Sequence, residues 1–201
     1  GFSKNADFRI ARFSANDDGA EITLTHPEGT SKTVQMPMRG RHNALNAAAA
    51  IAAVCAIGID FDEACTAFEK VAVLPERRFE RIGQPEGFTV VSDFSHHPIE
   101  ISALMETAQE LPHKRIVAVF QPHRFTRTKT LLKHFPPAFQ GVDELVLCPV
   151  YCASECLMCG GAASDLYAES RSAAVGNIHM PIPVFAPSPK ETAKYVRSIL
   201  R

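Results

Sequence analysis

Three short stretches near the start of the chain alternate apolar and polar residues with a period of two: Asp7–Phe13, Ala20–Thr25 and Ser31–Met36. That period turns successive side chains to opposite faces of a strand, so each stretch predicts a strand with one buried and one wet face. Asn16–Gly19 and His26–Gly29 separate them and carry turn residues, which predicts an antiparallel meander. Pro37 ends the third strand because it cannot donate to a sheet ladder. Gly40 then opens an alanine-rich helix over Arg41–Ile57, with Gly58 at its C′ position. A second helix is expected from about Phe61 to Val71, capped by Asp60.

Leu74–Phe79 breaks the apolar pattern with a proline and charges and reads as a linker. Phe79–Gly83 and Phe88–Ser92 predict a hairpin across Gln84–Gly87. Beyond it, strands and helices alternate. Ile101, Leu104, Ala108 and Leu111 recur at helical spacing, and Arg115–Phe120 is a continuous apolar run typical of a central parallel strand. A helix over about Thr128–Phe139 should break near Pro136–Pro137. Glu144–Cys148 is a strand, Ala163–Ala173 a helix and Pro183–Phe185 a strand. Ser188 caps the last helix, with Pro189 at its first position and Glu191 closing a capping box. The expected fold class is therefore α/β: a C-terminal Rossmann-like domain with a mixed, mainly parallel sheet, preceded by a β-meander and helices.

Composition narrows the function classes. The 201 residues are 46% hydrophobic and 21% charged, with a formal net charge of −1. That balance gives no sign of nucleic-acid or anionic-membrane binding. No apolar run approaches the roughly 18–20 residues that cross a bilayer. The start, Gly1–Asp7, reads as mid-protein sequence and the chain as a fragment. Cys55 and Cys65 fall on apolar helical faces. Cys148, Cys152, Cys156 and Cys159 cluster, and the last three match a C-x3-C-x2-C spacing used by some iron–sulfur enzymes. Reduced thiols in a cytoplasmic protein, with no metal, are the expected state.

Three constellations carry candidate chemistry. Ser92–Glu100 places Asp93, His96 and His97 where a strand hands over to a helix, the edge at which open α/β sheets bind ligands. Asp93 capping the helix, with two surface histidines, is the plainer alternative. Gly40–Asn46 places Asn43 and Asn46 on one helix face near its N-terminus, where amides suit a purine edge. A capped helix with a polar first turn is the plainer reading of the same residues. Gln121–Thr128 puts His123, Arg124 and Arg127 at the end of the Phe120 strand, and arginine forks match carboxylates and phosphates. Together with the Asp93–His97 edge they suggest an anionic-substrate site.

Five motifs occur in order: Gly40-Arg-His-Asn-Ala-Leu-Asn46, Arg77-Arg-Phe-Glu80, Asp93-Phe-Ser-His-His-Pro98, Phe120-Gln-Pro-His-Arg-Phe-Thr-Arg-Thr128 and Tyr151-Cys-Ala-Ser-Glu155. Together they closely resemble the Mur ligases, and the fourth points to the branch joining L-alanine to UDP-N-acetylmuramate. The resemblance implies that residues 1–76 end the central ATP-binding domain and residues 79–201 form the C-terminal domain. It implies an ATP- and Mg2+-dependent ligation through an acyl phosphate on the muramoyl carboxylate, which the amine of alanine attacks. By similarity, His42, Asn43 and Asn46 would contact the adenine side of ATP, with Arg78 and Asp93 near its ribose and phosphates. Phe94, His96, His123, Arg124 and Arg127 would line the amino-acid pocket, with His96, Arg124 and Arg127 at the reacting centre.

The sequence contains no G-x-x-x-x-G-K-[ST] phosphate loop. The phosphate-loop lysine, the Mg2+ ligands and the UDP-binding domain are expected in the missing N-terminal and central parts, and the fragment alone is expected to be inactive. Two departures stand out. Ser92-Asp93-Phe94 replaces the family's acid–acid–tyrosine, and the loop after Tyr151 carries cysteines instead of running toward glycine and proline. The rivals are a murein-peptide ligase of the same family, a non-catalytic nucleotide- or precursor-binding domain, and a cysteine-cluster metalloprotein.

Overall fold

The computed structural model describes residues 1–16, 19–71, 75–85 and 87–200. Backbone contacts divide the chain into two compact units, Gly1–Phe94 and Ser95–Arg201.

In the first unit, β1 (Arg9–Asn16), β2 (Gly19–Thr25) and β3 (Ser31–Met36) form the expected antiparallel meander in that order. Ile22 faces Phe13 on one side and Val34 on the other. Ala20, Ile22 and Leu24 are fully buried, whereas on the wet face the Thr23 and Thr33 hydroxyls lie 3.2 Å apart. Gly19 is required where β2 starts: at φ +149° an added Cβ would come within 2.0 Å of the Met36 carbonyl oxygen. The buried face receives α1 (Arg41–Ala56) through Ala44, Ala47, Ala48 and Ile51, whose small side chains let the helix approach the sheet. α2 (Phe61–Glu69) starts where Asp60 accepts from the Asp62 and Glu63 N–H groups at 2.9 and 3.1 Å. It stops two residues before the expected end, with Lys70 as C-cap. β4 (Glu80–Gly83) and β5 (Val90–Ser92) form the expected hairpin. Asp17 and Asp18 of the first turn, Leu74 of the linker and Glu86 of the hairpin turn lie outside the described residues.

The second unit contains α3 (Pro98–Gln109), β6 (Val117–Phe120), α4 (Phe125–Thr130), α5 (Phe135–Ala138), β7 (Glu144–Leu147), α6 (Ala163–Ala174), β8 (Pro183–Phe185) and α7 (Pro189–Ile199). Its sheet is parallel throughout, in the order β6-β7-β8, with Phe120 beside Leu147 and Leu147 beside Phe185. The central strand is β7, where Leu145, Val146 and Leu147 are buried. β6, expected in the centre, occupies an edge among the described strands and leaves Val119 50% exposed. Phe120 packs its ring 5.6 Å from Phe135 and 5.2 Å from Phe139, joining the sheet to the helices. The helix expected over 128–139 is three pieces: α4 starts earlier, at Phe125, a 3-10 turn covers Leu132–His134, and α5 follows. The prolines sit in the first turn of α5, where a missing N–H costs nothing, so the break falls before them. At α7 Ser188 accepts from the Glu191 N–H at 3.2 Å, one half of the expected capping box.

Candidate functional site

The loops that follow β6 and β7 run together at the carboxyl edge of the parallel sheet. The Tyr151 N–H donates to the Pro122 carbonyl at 2.8 Å, and the Arg124 N–H donates to the Tyr151 carbonyl at 2.8 Å. This pairing makes an isolated parallel bridge between His123 and Tyr151. The His123 ring lies 5.3 Å from the His96 ring and 5.3 Å from the Tyr151 ring, tilted 36° and 35°. Arg124 takes φ +71°, an unusual conformation for a side-chain-bearing residue, and at that turn α4 begins. One helical turn on, Arg127 Nη1 lies 3.3 Å from His123 Nδ1 and donates to the His123 carbonyl at 3.4 Å. Thr128, fully buried, donates its hydroxyl to the Arg124 carbonyl at 2.9 Å.

Glu155 closes the arrangement, accepting from the Thr126 N–H at 3.0 Å and from its hydroxyl at 2.6 Å. The Thr126 hydroxyl, then its N–H, hold the Glu155 carboxyl below the ordinary carboxylate range, with a smaller contribution from Arg124. Burial pushes the His123 imidazole below its ordinary value, and His96, Arg127 and Arg124 add to the effect against opposition from Glu155. The result is a neutral imidazole beside two guanidinium groups and one carboxylate.

The Ser92–Glu100 stretch divides its polar residues among different tasks. The α3 cap is His97, not Asp93: His97 Nδ1 accepts from the Ile99 N–H at 3.3 Å. Glu100 accepts from the His96 and His97 N–H groups at 3.2 and 3.1 Å, which anchors the residue that stacks on His123. In the first unit, Asp93 accepts from the Phe79 N–H at 2.7 Å, and the Phe94 N–H donates to the Arg77 carbonyl at 2.9 Å. Arg77 lies 4.4 Å over the Phe94 ring, so this ring meets a cation. Arg78 is exposed between Arg77 and Phe79, both at positive φ.

At the start of α1, no side chain caps the helix; Gly40, at φ +89°, turns its carbonyl to the Asn43 and Ala44 N–H groups. Asn43 donates to the Arg39 carbonyl at 2.7 Å, and Asn46 donates to Asn43 Oδ1 at 3.4 Å. His42 in the first turn and Asn46 in the second are exposed. A ring nitrogen and an amide there fit the edge of a heterocycle, and Asn43 braces the Asn46 amide.

Cys152, Cys156 and Cys159 are exposed, and Cys148 lies 3.4 Å from the Thr192 hydroxyl. Among the described residues, no group of three or more His, Cys, Asp or Glu side chains could hold a metal ion. Sequence reasoning gave no role to Glu155, Thr126 or Glu100. The sheet-edge rule applied to the end of β7, as to the end of β6, would have singled out Tyr151 and Glu155.

More than half of the chain, residues 77–196, matches the family model described as Mur ligase, glutamate ligase domain. The chain belongs to the Mur ligase family. The Mur ligase middle domain matches residues 1–54. The UDP-N-acetylmuramate–L-alanine ligase of Halorhodospira halophila is 34% identical over 209 residues, covering 100% of this chain and 41% of that protein. The ligase of the same name from Rhodospirillum rubrum is 37% identical, covering 77% of this chain and 33% of that protein. The chain thus spans about a third to two fifths of the length of these curated Mur ligases. Among solved structures, UDP-N-acetylmuramate–alanine ligase from Thermotoga maritima aligns with TM-score 0.66 at 22% identity, covering 98% of this chain and 46% of that one. A folylpolyglutamate synthase from Mycobacterium tuberculosis complexed with ADP aligns with TM-score 0.68 at 22% identity, covering 97% and 41%. Both show that the Mur ligase fold is shared.

Proposed function

We propose that this chain is the C-terminal part of an ATP-dependent amide ligase that joins L-alanine to UDP-N-acetylmuramate through an acyl phosphate. Residues 1–76 would end its central ATP-binding domain and residues 79–201 would form its C-terminal domain. The family model's start at residue 77 supports that division, although backbone contacts group the β4–β5 hairpin with the first unit. The names of relatives at 34–37% identity support the substrate pair.

The observation that carries the reading is the convergence of His96, His123, Arg124 and Arg127 at the carboxyl edge of a parallel sheet. Alanine must present its amine while its carboxylate is held, and two guanidinium forks at that edge supply planar, bidentate donors for an anion. Arg124 and Arg127 would bind the alanine carboxylate and steady the charge that develops at the acyl centre, with His96 beside the reacting amine. His42 and Asn46 would meet the adenine, braced by Asn43, and Arg78 and Asp93 would serve its ribose and phosphates. Acyl-phosphate formation needs positioning and charge stabilisation more than covalent help from the protein. ATP and Mg2+ would be held mainly by parts of the enzyme beyond this chain. A UDP-linked substrate and ATP point to the cytoplasm, and no described helix is long and apolar enough to cross a membrane.

The test is ADP release by the full-length protein with UDP-N-acetylmuramate and alanine, serine or glycine. Alanine-dependent turnover that collapses in Arg124→Ala and Arg127→Ala is the expected result. A folded full-length protein without turnover would favour a binding domain.

A further inference from the structure

The contact between Arg127 and His123 determines more than where the ring sits. Arginine has five N–H donors and no acceptor, and it does not lose its proton in proteins. The 3.3 Å approach of Arg127 Nη1 to His123 Nδ1 therefore requires a lone pair on Nδ1. In a neutral imidazole the proton must then reside on Nε2, at the opposite edge of the ring. The same Nη1 also reaches the His123 carbonyl at 3.4 Å, so ring and backbone are gripped together. The rings of His96 and Tyr151, each 5.3 Å away, limit rotation that would exchange the two nitrogens.

We propose that Arg127, besides its contact with the substrate, locks His123 as its Nε2–H tautomer, making His123 a hydrogen-bond donor to an anionic oxygen of the substrates and not the base that deprotonates alanine. Resting on the ligase reading above, this divides the two stacked histidines by role: His123 keeps its proton throughout, and proton transfer from the amine does not pass through it. The anionic oxygen belongs to a carboxylate or a phosphoryl group, which attract the same donor. The groups facing His123 are His96 from the loop before α3, Arg124 and Arg127 from α4, and Tyr151 and Glu155 from the loop after β7. Three of these five would resist a positive charge on the ring, and Glu155 opposes them.

Two measurements test the proposal separately from the ligase assignment. Nitrogen-15 spectra of the histidine rings in this chain, with His123→Gln identifying the signals, should show at neutral pH a protonated Nε2 and an unprotonated Nδ1. A protonated Nδ1 overturns the proposal whatever the enzyme does. In the full-length ligase, His123→Gln places an amide N–H near the Nε2 position and should lose less kcat/KM than His123→Asn and His123→Ala, which should lose roughly 10- to 100-fold, as expected for a charge-assisted hydrogen bond. Equal collapse of all three variants would restore His123 as a base and overturn the donor role. In His123→Ala, a KM increase confined to alanine assigns the oxygen to its carboxylate, and one confined to ATP assigns it to a phosphoryl group. Absent turnover by the unmodified full-length protein would overturn the ligase reading alone, because the ring spectra report the tautomer independently.

Discussion

Glu155 accepts both the backbone N–H and the hydroxyl of Thr126, at 3.0 and 2.6 Å, and so ties the loop after β7 to the first turn of α4. That turn carries Arg124 and Arg127. The position of two guanidinium groups therefore depends on a carboxylate from a different loop, which itself reaches no ligand in the proposed mechanism.

Glu155→Ala should lower kcat/KM of the full-length ligase about 10-fold by loosening that turn, and Thr126→Val should act in the same direction. Because the two act as one unit, the double variant should lose no more than the larger single loss. Steady-state kinetics on the four proteins checks this, and additive losses would show that the bond does not position the arginines.

Acid should weaken the second unit in two stages. His123 and Glu155 both hold their protons less firmly in the fold than in the open chain, so unfolding takes up protons and stability rises with pH. The His123 contribution is complete above its ordinary value of 6.5 and is lost as pH falls through its lower folded value. Glu155 follows below 4.5. The urea midpoint should therefore drop as pH falls below about 6.5, and His123→Gln should flatten that part of the curve. An unchanged slope in the variant would assign the effect to other groups.

Gly161 permits a close passage beside α4. A Cβ there would lie 2.4 Å from the Phe125 carbonyl oxygen, which is backbone and has little freedom to yield. Gly161→Ala should cost roughly 1–3 kcal/mol through overpacking and a displaced helix start. Chemical denaturation would measure the loss, and a neutral result would mean that the loop before α6 shifts easily.

Thiol reactivity should separate the cysteines into two classes. Burial pushes Cys65 up to about 11, and burial also raises Cys55, so little thiolate forms at either near neutrality. Cys152, Cys156 and Cys159 are exposed. Alkylation of the folded chain near pH 8, read by peptide mass mapping, should label these three first and reach Cys65 only on unfolding. Early labelling of Cys65 would mean that the α2 face opens readily.

Local patterns settled a large part of this molecule. The alternation in β2, the Asp60 and Ser188 caps, Gly58 after α1 and the strand ends that carry His96 and Arg124 each depend on residues a few positions apart, and all were legible before the fold was known. Five ordered motifs likewise carried the resemblance to the family whose models match residues 1–54 and 77–196. What only the tertiary structure decided involves partners distant in the chain. β6 lies at an edge because pairing depends on which other strand arrives, and its apolar run reads the same either way. Asp93 binds the Phe79 N–H while His97 caps α3, because each acceptor goes to whichever unpaired donor the folded backbone brings within reach. His96, His123 and Tyr151 come from three separate loops, and only the closing of those loops at one sheet edge stacks their rings and sets Arg127 against Nδ1.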